Sequence, residues 1–415
     1  MGLHHRSIIL ASSPKRHEQP HNQRNPHNLN AMKKIKLGMV GGGSGSFIGA
    51  VHRNAAWLDG AFELSAGAFS SNPERSKTSG AELGIAPERV YSSYREMIET
   101  ESQMDPEERI HAVAIVTPNH VHFEPAMMAL EHGFHVIIDK PIAFDVDEAV
   151  KIREKVNETG NILGLTHTYT GYPMIKEARH RIAAGEIGAL RKIFVEYPQG
   201  WLSTFLEKDG HKQASWRTDP SRSGAGGSVG DIGTHAANLA EYLSGLMIIE
   251  ICAELNIVVD GRLLDDDASA LLHFENGVTG VLIATQVAAG VENNLSIRVY
   301  GEHGGFEWSH TDPNTLIHRR SEGPDQILRA GTEYLCEDAQ RATRLPAGHP
   351  EGYIEAFANI YLEIARAIRD HEEMGYKDGE YDFPGAEDGV RGMAFVQTMI
   401  ESARSKEKWT PFQLP

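Results

Sequence analysis

Three groups of residues in this chain have the types and spacing to do chemistry. The first is Asp139-Lys140-Pro141, which follows the short apolar run 135–138. A lysine at the end of a buried strand cannot pack as a hydrophobe. It either snorkels to the surface or turns its ammonium into a cleft, where it could hydrogen-bond a hydroxyl group. Pro141 allows a fixed, cis bond. The second group is Asp231-Ile232-Gly233-Thr234-His235, after the glycine-rich stretch 223–230. On a helix, Asp231 and His235 are four apart and share one face. Turning a secondary alcohol into a carbonyl requires removal of the hydroxyl proton. A histidine titrating near neutrality suits that step, and a carboxylate nearby can orient it or the substrate. The plainer alternative is an N-cap aspartate followed by an unrelated histidine. Metal binding is the rival use of the pair, but no third ligand stands at a standard spacing, so no metal site is expected. The third group is Thr117-Pro118-Asn119-His120-Val121-His122. Here Pro118 breaks a strand, and Thr117, Asn119 and His122 either contact a ribose or nicotinamide or simply form a loop with a helix cap.

A glycine cluster supplies the context for all three. Residues 35–53 read IKLGMVGGGSGSFIGAVHR, a strand, a glycine loop and the start of a helix. Gly41 and Gly43 allow a tight turn and close approach to a pyrophosphate, and Ser46, Phe47 and Ile48 open a helix with unpaired N–H groups. The loop is about two residues longer than the usual G-x-G-x-x-G fingerprint. The strand 62–69 ends in Ser70-Ser71-Asn72 with no acidic residue, and Arg75 and Lys77 follow. A carboxylate there would hold the ribose 2′-OH of NAD, whereas Ser70 with Arg75 can accept a 2′-phosphate. Arg75 is otherwise a solvated helix charge. NAD or NADP is the expected cofactor, with a lean toward NADP competence.

These groups need a scaffold, and the pattern supplies one. Strands at 62–69, 112–116 and 135–138 alternate with helices at 49–58, 93–101, 123–132 and from 145, the last opened by Asp145 with Glu148 in a capping box and closed by Gly160. Such alternation implies a parallel sheet with helices on both faces and ligands at the carboxyl ends of the strands. The second half reads differently. Strands at 190–197, 247–258, 268–274, 278–285, 295–300 and 305–308 form a mostly antiparallel meander, with Asn276-Gly277 as a hairpin turn. Helices are expected at 173–184, 233–243, 352–370 and 385–405. The fold class is therefore α/β: an N-terminal Rossmann parallel sheet plus a C-terminal α+β domain with an open sheet. One face of that sheet would need cover, which predicts a homo-oligomer, dimer or tetramer.

The 415 residues suffice for two domains. A net charge of −17 argues against nucleic acid or an anionic membrane surface as partner. No apolar run approaches a membrane span. Two cysteines, Cys252 and Cys336, make no disulfide framework, so a reducing, cytoplasmic setting is expected. Residues 1–31 are polar, rich in His, Asn, Arg, Ser and Pro, with Glu18 their only acid, and are expected to be disordered. Met32 directly precedes Lys33-Lys34 and is a candidate start. The expected division is a tail at 1–32, a nucleotide-binding domain at 33–160 and a substrate-binding and oligomerisation domain at 161–415.

Gly41-Gly42-Gly43 through Ile48-Gly49, Thr117-Pro118-Asn119-His120, Asp139-Lys140-Pro141, and Gly226-Gly227 with Asp231 to His235 occur in the order found in the Gfo/Idh/MocA oxidoreductases, which this chain resembles over residues 35–235. The extended glycine loop resembles that of a long-chain branch containing inositol dehydrogenases. The resemblance implies a Rossmann domain, an open α/β domain, and NAD(P)-dependent oxidation of a secondary hydroxyl on a cyclitol or pyranose to a ketone, or the reverse. It also implies a catalytic lysine in an E-K-P motif and an Asp/His pair on a D-x-G-x-H helix, here Lys140, Asp231 and His235, with Asp139 in place of the usual glutamate. Lys140 would polarise the substrate oxygen, His235 exchange the proton and Asp231 orient it. Lys140 and Pro141 are also placed against the cofactor. Tyr169, Trp201, Trp216 and Arg217 lie in loops that could reach a sugar ring, although core packing is the commoner role of a tryptophan. His349 either joins the pocket or caps a helix. Two rival readings remain: elimination or glycoside cleavage in which tightly held NAD is reduced and reoxidised within one turnover, and a cofactor-binding regulator, which would have no need of all three candidate catalytic groups.

Overall fold

The computed structural model describes residues 33–374 and 380–415; the expected N-terminal tail lies outside the described residues. The first sheet contains β1 (Ile35–Gly41), β2 (Phe62–Ala68), β3 (Ala112–Val116), β4 (His135–Ile138) and β5 (Leu163–Leu165). All its pairs are parallel, in the order β2-β1-β3-β4-β5. β3 and β4 are buried along their whole length, which is why they read as unbroken apolar runs. Between the strands run α1 (Phe47–Leu58), α2 (Pro73–Glu82), α3 (Tyr94–Ser102), α4 (Phe123–Glu131) and α5 (Val146–Thr159). The caps are those the residue types call for. Asp145 accepts the Glu148 N–H at 2.9 Å, Glu148 accepts from the Phe144 N–H at 3.0 Å, and Gly160 closes α5 at φ 70°. The sheet takes in β5, so it runs past residue 160.

The chain reverses direction across the sheet between β1 and β3. That is a topological switch point, where loops on either side separate and leave a crevice at the carboxyl ends of the strands.

The second half begins with α6 (Pro173–Ala183) and β6 (Leu190–Pro198). A long excursion follows, carrying the short helices α7 (Lys212–Arg217) and α8 (Pro220–Ser223), and then α9 (Thr234–Ser244). Strands β7 (Ile248–Asn256), β8 (Asp267–Phe274), β9 (Thr279–Thr285), β10 (Ser296–Gly301), β11 (Gly304–Ser309), β12 (Thr315–Arg320) and β13 (Gln326–Arg329) come next. The chain ends with α10 (Glu337–Arg341), α11 (Tyr353–Met374), α12 (Ala386–Arg404) and β14 (Thr410–Pro411). The nine strands order as β13-β12-β11-β10-β6-β9-β8-β7-β14, antiparallel except for the β6–β9 pair. Asn276 and Gly277, both at positive φ, form the turn between β8 and β9.

Period-two patterning separates the two faces of this sheet. The register row Ile251, Leu272, Gly280, Ile193, Val299 and Phe306 lies on the face covered by α6, α9 and α12. The adjacent row, Cys252, Leu271, Val281, Phe194 and Arg298, lies on the other face, and Leu271 there is 46% exposed.

α11 leaves the second sheet, and α12 bridges the two. Phe357, Ile360, Tyr361 and Ile364 of α11 pack in one cluster with Leu37, Met39 and Ala114 of the first sheet. Val390 and Met393 of α12 join Ile138 and Ile142 in another. The end of the chain thus closes the core of its beginning.

Candidate active site

A cleft of about 870 Å³ opens over the switch point, between the carboxyl ends of the first sheet and the excursion that carries α7 and α8. Its floor is the glycine loop. Gly41 adopts φ +78°, a left-handed conformation that favours glycine, and the chain turns there from β1 toward α1. Gly49 sits so close to Gly42 that a Cβ on it would lie 2.4 Å from the Gly42 Cα. Ser46 caps α1 by accepting the Gly49 N–H at 3.2 Å, so the helix begins at Phe47, two residues earlier than the pattern predicts. This bare loop at a helix start fits a dinucleotide pyrophosphate. Replacing Gly49 with Ala is expected to displace the loop at an overpacking cost of about 1–3 kcal/mol. A fluorescence titration should show NADH binding weakened roughly tenfold or more; unaltered affinity would mean that the loop does not cradle the cofactor.

Most of the expected cofactor residues come together here. Gly41, Gly43, Ser46, Phe47 and Ile48 line one wall, and Ser70 and Arg75 stand at the end of β2. Thr117, Pro118 and Asn119 follow β3, and Lys140 and Pro141 follow β4, joined by a cis peptide. His122 is a correction. It is fully buried, with Nδ1 2.8 Å from the Pro141 carbonyl oxygen and Nε2 2.8 Å from that of Thr117. It holds these two loops in register and does not line the cleft. Asp139 also turns inward. It accepts from Thr166 Oγ1 at 3.0 Å and lies 3.6 Å from His52 Nε2, whose Nδ1 is 2.8 Å from the Tyr361 hydroxyl.

The second half reaches the cleft through Asp231. Its position is set by Asp265, a buried carboxylate that accepts the backbone N–H of Gly227 at 2.6 Å and of Val229 at 2.8 Å, and the Ser228 hydroxyl at 2.8 Å. The chain then makes one wide turn, Val229–Gly233, before α9. That turn brings the Asp231 carboxylate to the Lys140 ammonium, 2.7 Å from Nζ to Oδ1, and Lys140 also donates to the Asp231 carbonyl. Gln286 donates to Oδ2 at 2.9 Å, and the Arg217 guanidinium lies 3.4 Å from the same oxygen. Burial alone would raise the carboxyl; Lys140 and Arg217 instead hold it well below the usual carboxylate range. It is a fixed anion.

His235 is buried one turn further on, and its ring partner is not the one the spacing suggests. Asp231 has its oxygens engaged by Lys140 and Gln286, whereas His235 Nδ1 faces Nδ1 of His167 at 3.3 Å. Burial, with Lys140 and His167 nearby, pushes the His235 imidazole well below its ordinary value, so it is neutral at neutral pH and competent as a base. Tyr169 stands edge-on to it, ring centroids 5.1 Å apart, and is tied to the Tyr197 hydroxyl. Tyr169 is thus a wall behind the histidine rather than a loop residue at the surface.

Trp216 and Arg217 line the cleft from α7, the guanidinium stacked 4.3 Å over the indole. The excursion that carries them is pinned at its base by buried Arg262, which donates to Leu202 O, Glu207 and Asp266. Its far end is hooked by Asn119, whose Nδ2 donates to Ser223 O at 2.9 Å. Trp201 Nε1 donates to Gln199 at 2.9 Å. His349 is the second correction: it is exposed, its Nδ1 lies 3.1 Å from the Pro346 carbonyl, and it takes no part in the cleft. In that segment the buried group is Glu351, which caps the backbone N–H of Arg344 and Leu345. His167 and Gln286, absent from the expected site, are its main additions. Neither sits in a recognisable motif, and only β5 ending at Leu165 hints that His167 stands at a strand exit. Among the described residues no group of three or more metal-ligating side chains gathers, and no helix is long and apolar enough to cross a membrane.

A glycine-rich switch-point cleft lined at one end by a lysine and a carboxylate, with a neutral histidine buried next to them, defines a dinucleotide-dependent oxidoreductase. Comparison with known proteins places it more closely. Residues 35–167 match the family described as Oxidoreductase family, NAD-binding Rossmann fold, and residues 175–307 match the Gfo/Idh/MocA C-terminal domain. The chain is 34% identical over 388 residues to the uncharacterized oxidoreductase YfiI of Bacillus subtilis, covering 92% of this chain and 98% of that protein. It is 27% identical to levoglucosan dehydrogenase of Pseudarthrobacter phenanthrenivorans, covering 91% and 98%. An inositol dehydrogenase homolog from Azotobacter vinelandii, complexed with NAD+, superposes with a TM-score of 0.87 at 35% identity, covering 92% and 98%; the homolog is also known complexed with NADH and myo-inositol. This chain belongs to the Gfo/Idh/MocA family and is an NAD(P)-dependent oxidoreductase.

Proposed function

We propose that the protein is a dehydrogenase that interconverts a secondary hydroxyl and a ketone on a cyclitol or pyranose ring. The observation that carries this reading is the meeting of Lys140, from the nucleotide-binding sheet, with Asp231 at 2.7 Å, beside a neutral His235. A dinucleotide held by its pyrophosphate on the glycine loop would supply a nicotinamide able to accept the hydride of the carbinol carbon. The His235 imidazole takes the hydroxyl proton, so charge and atoms balance as ketone, reduced cofactor and imidazolium. Lys140 donates a hydrogen bond to the same oxygen and stabilises negative charge developing there. Asp231 fixes the ammonium. Trp216, with Arg217 stacked on it, offers an apolar ring face and a fork of donors, which suit a ring bearing many hydroxyls.

The relatives support the substrate class: one is named for levoglucosan, and another is complexed with myo-inositol. The test is a spectrophotometric screen of inositols, levoglucosan and common pyranoses with NAD and with NADP. Both cofactors belong in it because the end of β2 presents Ser70 and Arg75 and no carboxylate. Steady reduction of cofactor by one of these polyols is the expected result. Protein that carries tightly held cofactor and converts sugar with no net reduction would replace this reading with the redox-cycling one.

The bare face of the nine-stranded sheet supports a homo-oligomer. Leu271, Val281 and Phe194 form an apolar strip there, on the face opposite α6, α9 and α12, and a second copy would bury it. Light scattering should give a mass of at least twice 45.7 kDa; a monomer would remove the proposal.

A further inference from the structure

The partner of the candidate base is a second imidazole. His167 follows β5, and its backbone is held by its N–H to Leu165 O at 3.0 Å and by Thr170 Oγ1 donating to its carbonyl at 3.0 Å. Its Nδ1 lies 3.3 Å from His235 Nδ1, with the rings edge-on at 85°. Both rings are buried. Burial, with Lys140 adding, pushes His167 down to about 3, so it too is neutral at neutral pH.

Two neutral imidazoles facing each other through Nδ1 share one proton on that line: one donates and the other accepts. If His167 donated, His235 would carry its own proton on Nε2. The nitrogen left for the substrate would then be a donor, unable to take a hydroxyl proton. If His235 donates, its Nε2 keeps a lone pair. The choice of tautomer is a choice between an idle and a working base. Asp231 does not make that choice, because its carboxylate is turned to Lys140 and Gln286 and Nδ1 of His235 faces His167 instead. The rings of Tyr169 and Tyr197 flank His235 at 5.1 and 6.3 Å and leave the imidazole little room to turn.

We propose that His167 is a positioning residue that accepts a hydrogen bond from Nδ1–H of His235 and so holds the lone pair of Nε2 toward the cleft. The inference rests on His235 being the base. A neutral acceptor does this without the cost of a carboxylate partner, which would favour imidazolium and make the histidine slower to release its proton.

The test reads the tautomer directly. Nitrogen NMR of the full chain, labelled in histidine and saturated with NAD+, gives the protonation of each ring nitrogen, and the His235 signals are those lost in H235N. In the wild type Nδ1 should carry the proton and Nε2 should be bare. H167L should populate the Nε2–H form, whereas H167N, whose amide oxygen can accept at the same place, should restore the wild-type pattern. With myo-inositol or levoglucosan as probe, whichever is turned over, H167L should lower kcat roughly tenfold or more, a share of the 10²–10⁴ worth of a general base, and leave NADH affinity unchanged. An Nε2–H tautomer in the wild type would overturn the proposal with no variant needed, as would a tautomer unaltered in H167L. If H235A itself turns over at full rate, the reading of His235 as base fails instead.

Discussion

Replacing Lys140 with Met is expected to lower kcat/KM by about 10²–10⁴-fold, the usual worth of a group that moves or holds a proton in the transition state. Methionine matches the length of the lysine stem, so the segment after β4 keeps its packing, but it has no proton to give. Two things are lost together. The substrate oxygen loses its donor, and the Asp231 carboxylate loses the partner 2.7 Å away that does most to keep it charged. Gln286 and Arg217 remain on the other oxygen and hold the carboxylate in place, so the effect should fall on turnover more than on folding. Asp231 titrates below its unfolded value, so its contribution to stability is present above about pH 4 and lost as pH falls further. Lys140→Met should therefore unfold at a slightly higher pH in acid. Steady-state kinetics with circular dichroism as a folding control reads both effects, and undiminished turnover would remove Lys140 from the chemistry.

His235→Ala carries an expected loss of the same order, about 10²–10⁴-fold in kcat, with a different signature. The imidazole packs against His167, Tyr169 and Tyr197, whereas the glycine loop lines the cleft, so the dissociation constant for NADH should not change. The pH profile separates the two variants. Burial, with Lys140 and His167 beside it, holds the wild-type imidazole well below the ordinary value of about 6.5. Oxidation should therefore stay level as pH falls through 6.5, with the acid limb below it. The small residual activity of H235A should show no such limb, because no base remains to be protonated there. An H235A enzyme that keeps the wild-type acid limb would assign that limb, and the base, to another group.

Much of this site was legible from the residues, for physical reasons that also mark where legibility ends. Gly41, Lys140 and Asp231 each stand at a strand exit or helix start, where local chemistry constrains residue type: left-handed backbone, a charge that cannot be buried in a sheet, a helix opening. The buried strands β3 and β4 and the cap at Asp145 were readable on the same grounds. What was not legible depends on residues distant in the chain. The His122 clamp looks like a ligand residue until the folded chain places two carbonyl oxygens against it. His167 and His235 are 68 residues apart and meet only because α9 packs against the turn after β5. The i, i+4 spacing of Asp231 and His235 suggested a direct pair, but the wide turn at Val229–Gly233 and the pull of Lys140 give the carboxylate a different partner. The excursion carrying α7 and α8 was assigned no element from the residues, and its anchors are single contacts from Arg262 and Asn119.

The return of α11 and α12 to the first sheet has a consequence for how this molecule can be divided. Four large side chains of α11 are buried there, each worth roughly 1.5–3 kcal/mol, so the nucleotide-binding half severed after β5 would be left with an open flank. Chimeras built by swapping halves between relatives must therefore carry α11 with the donor of the first sheet, a discontinuous graft rather than a single crossover.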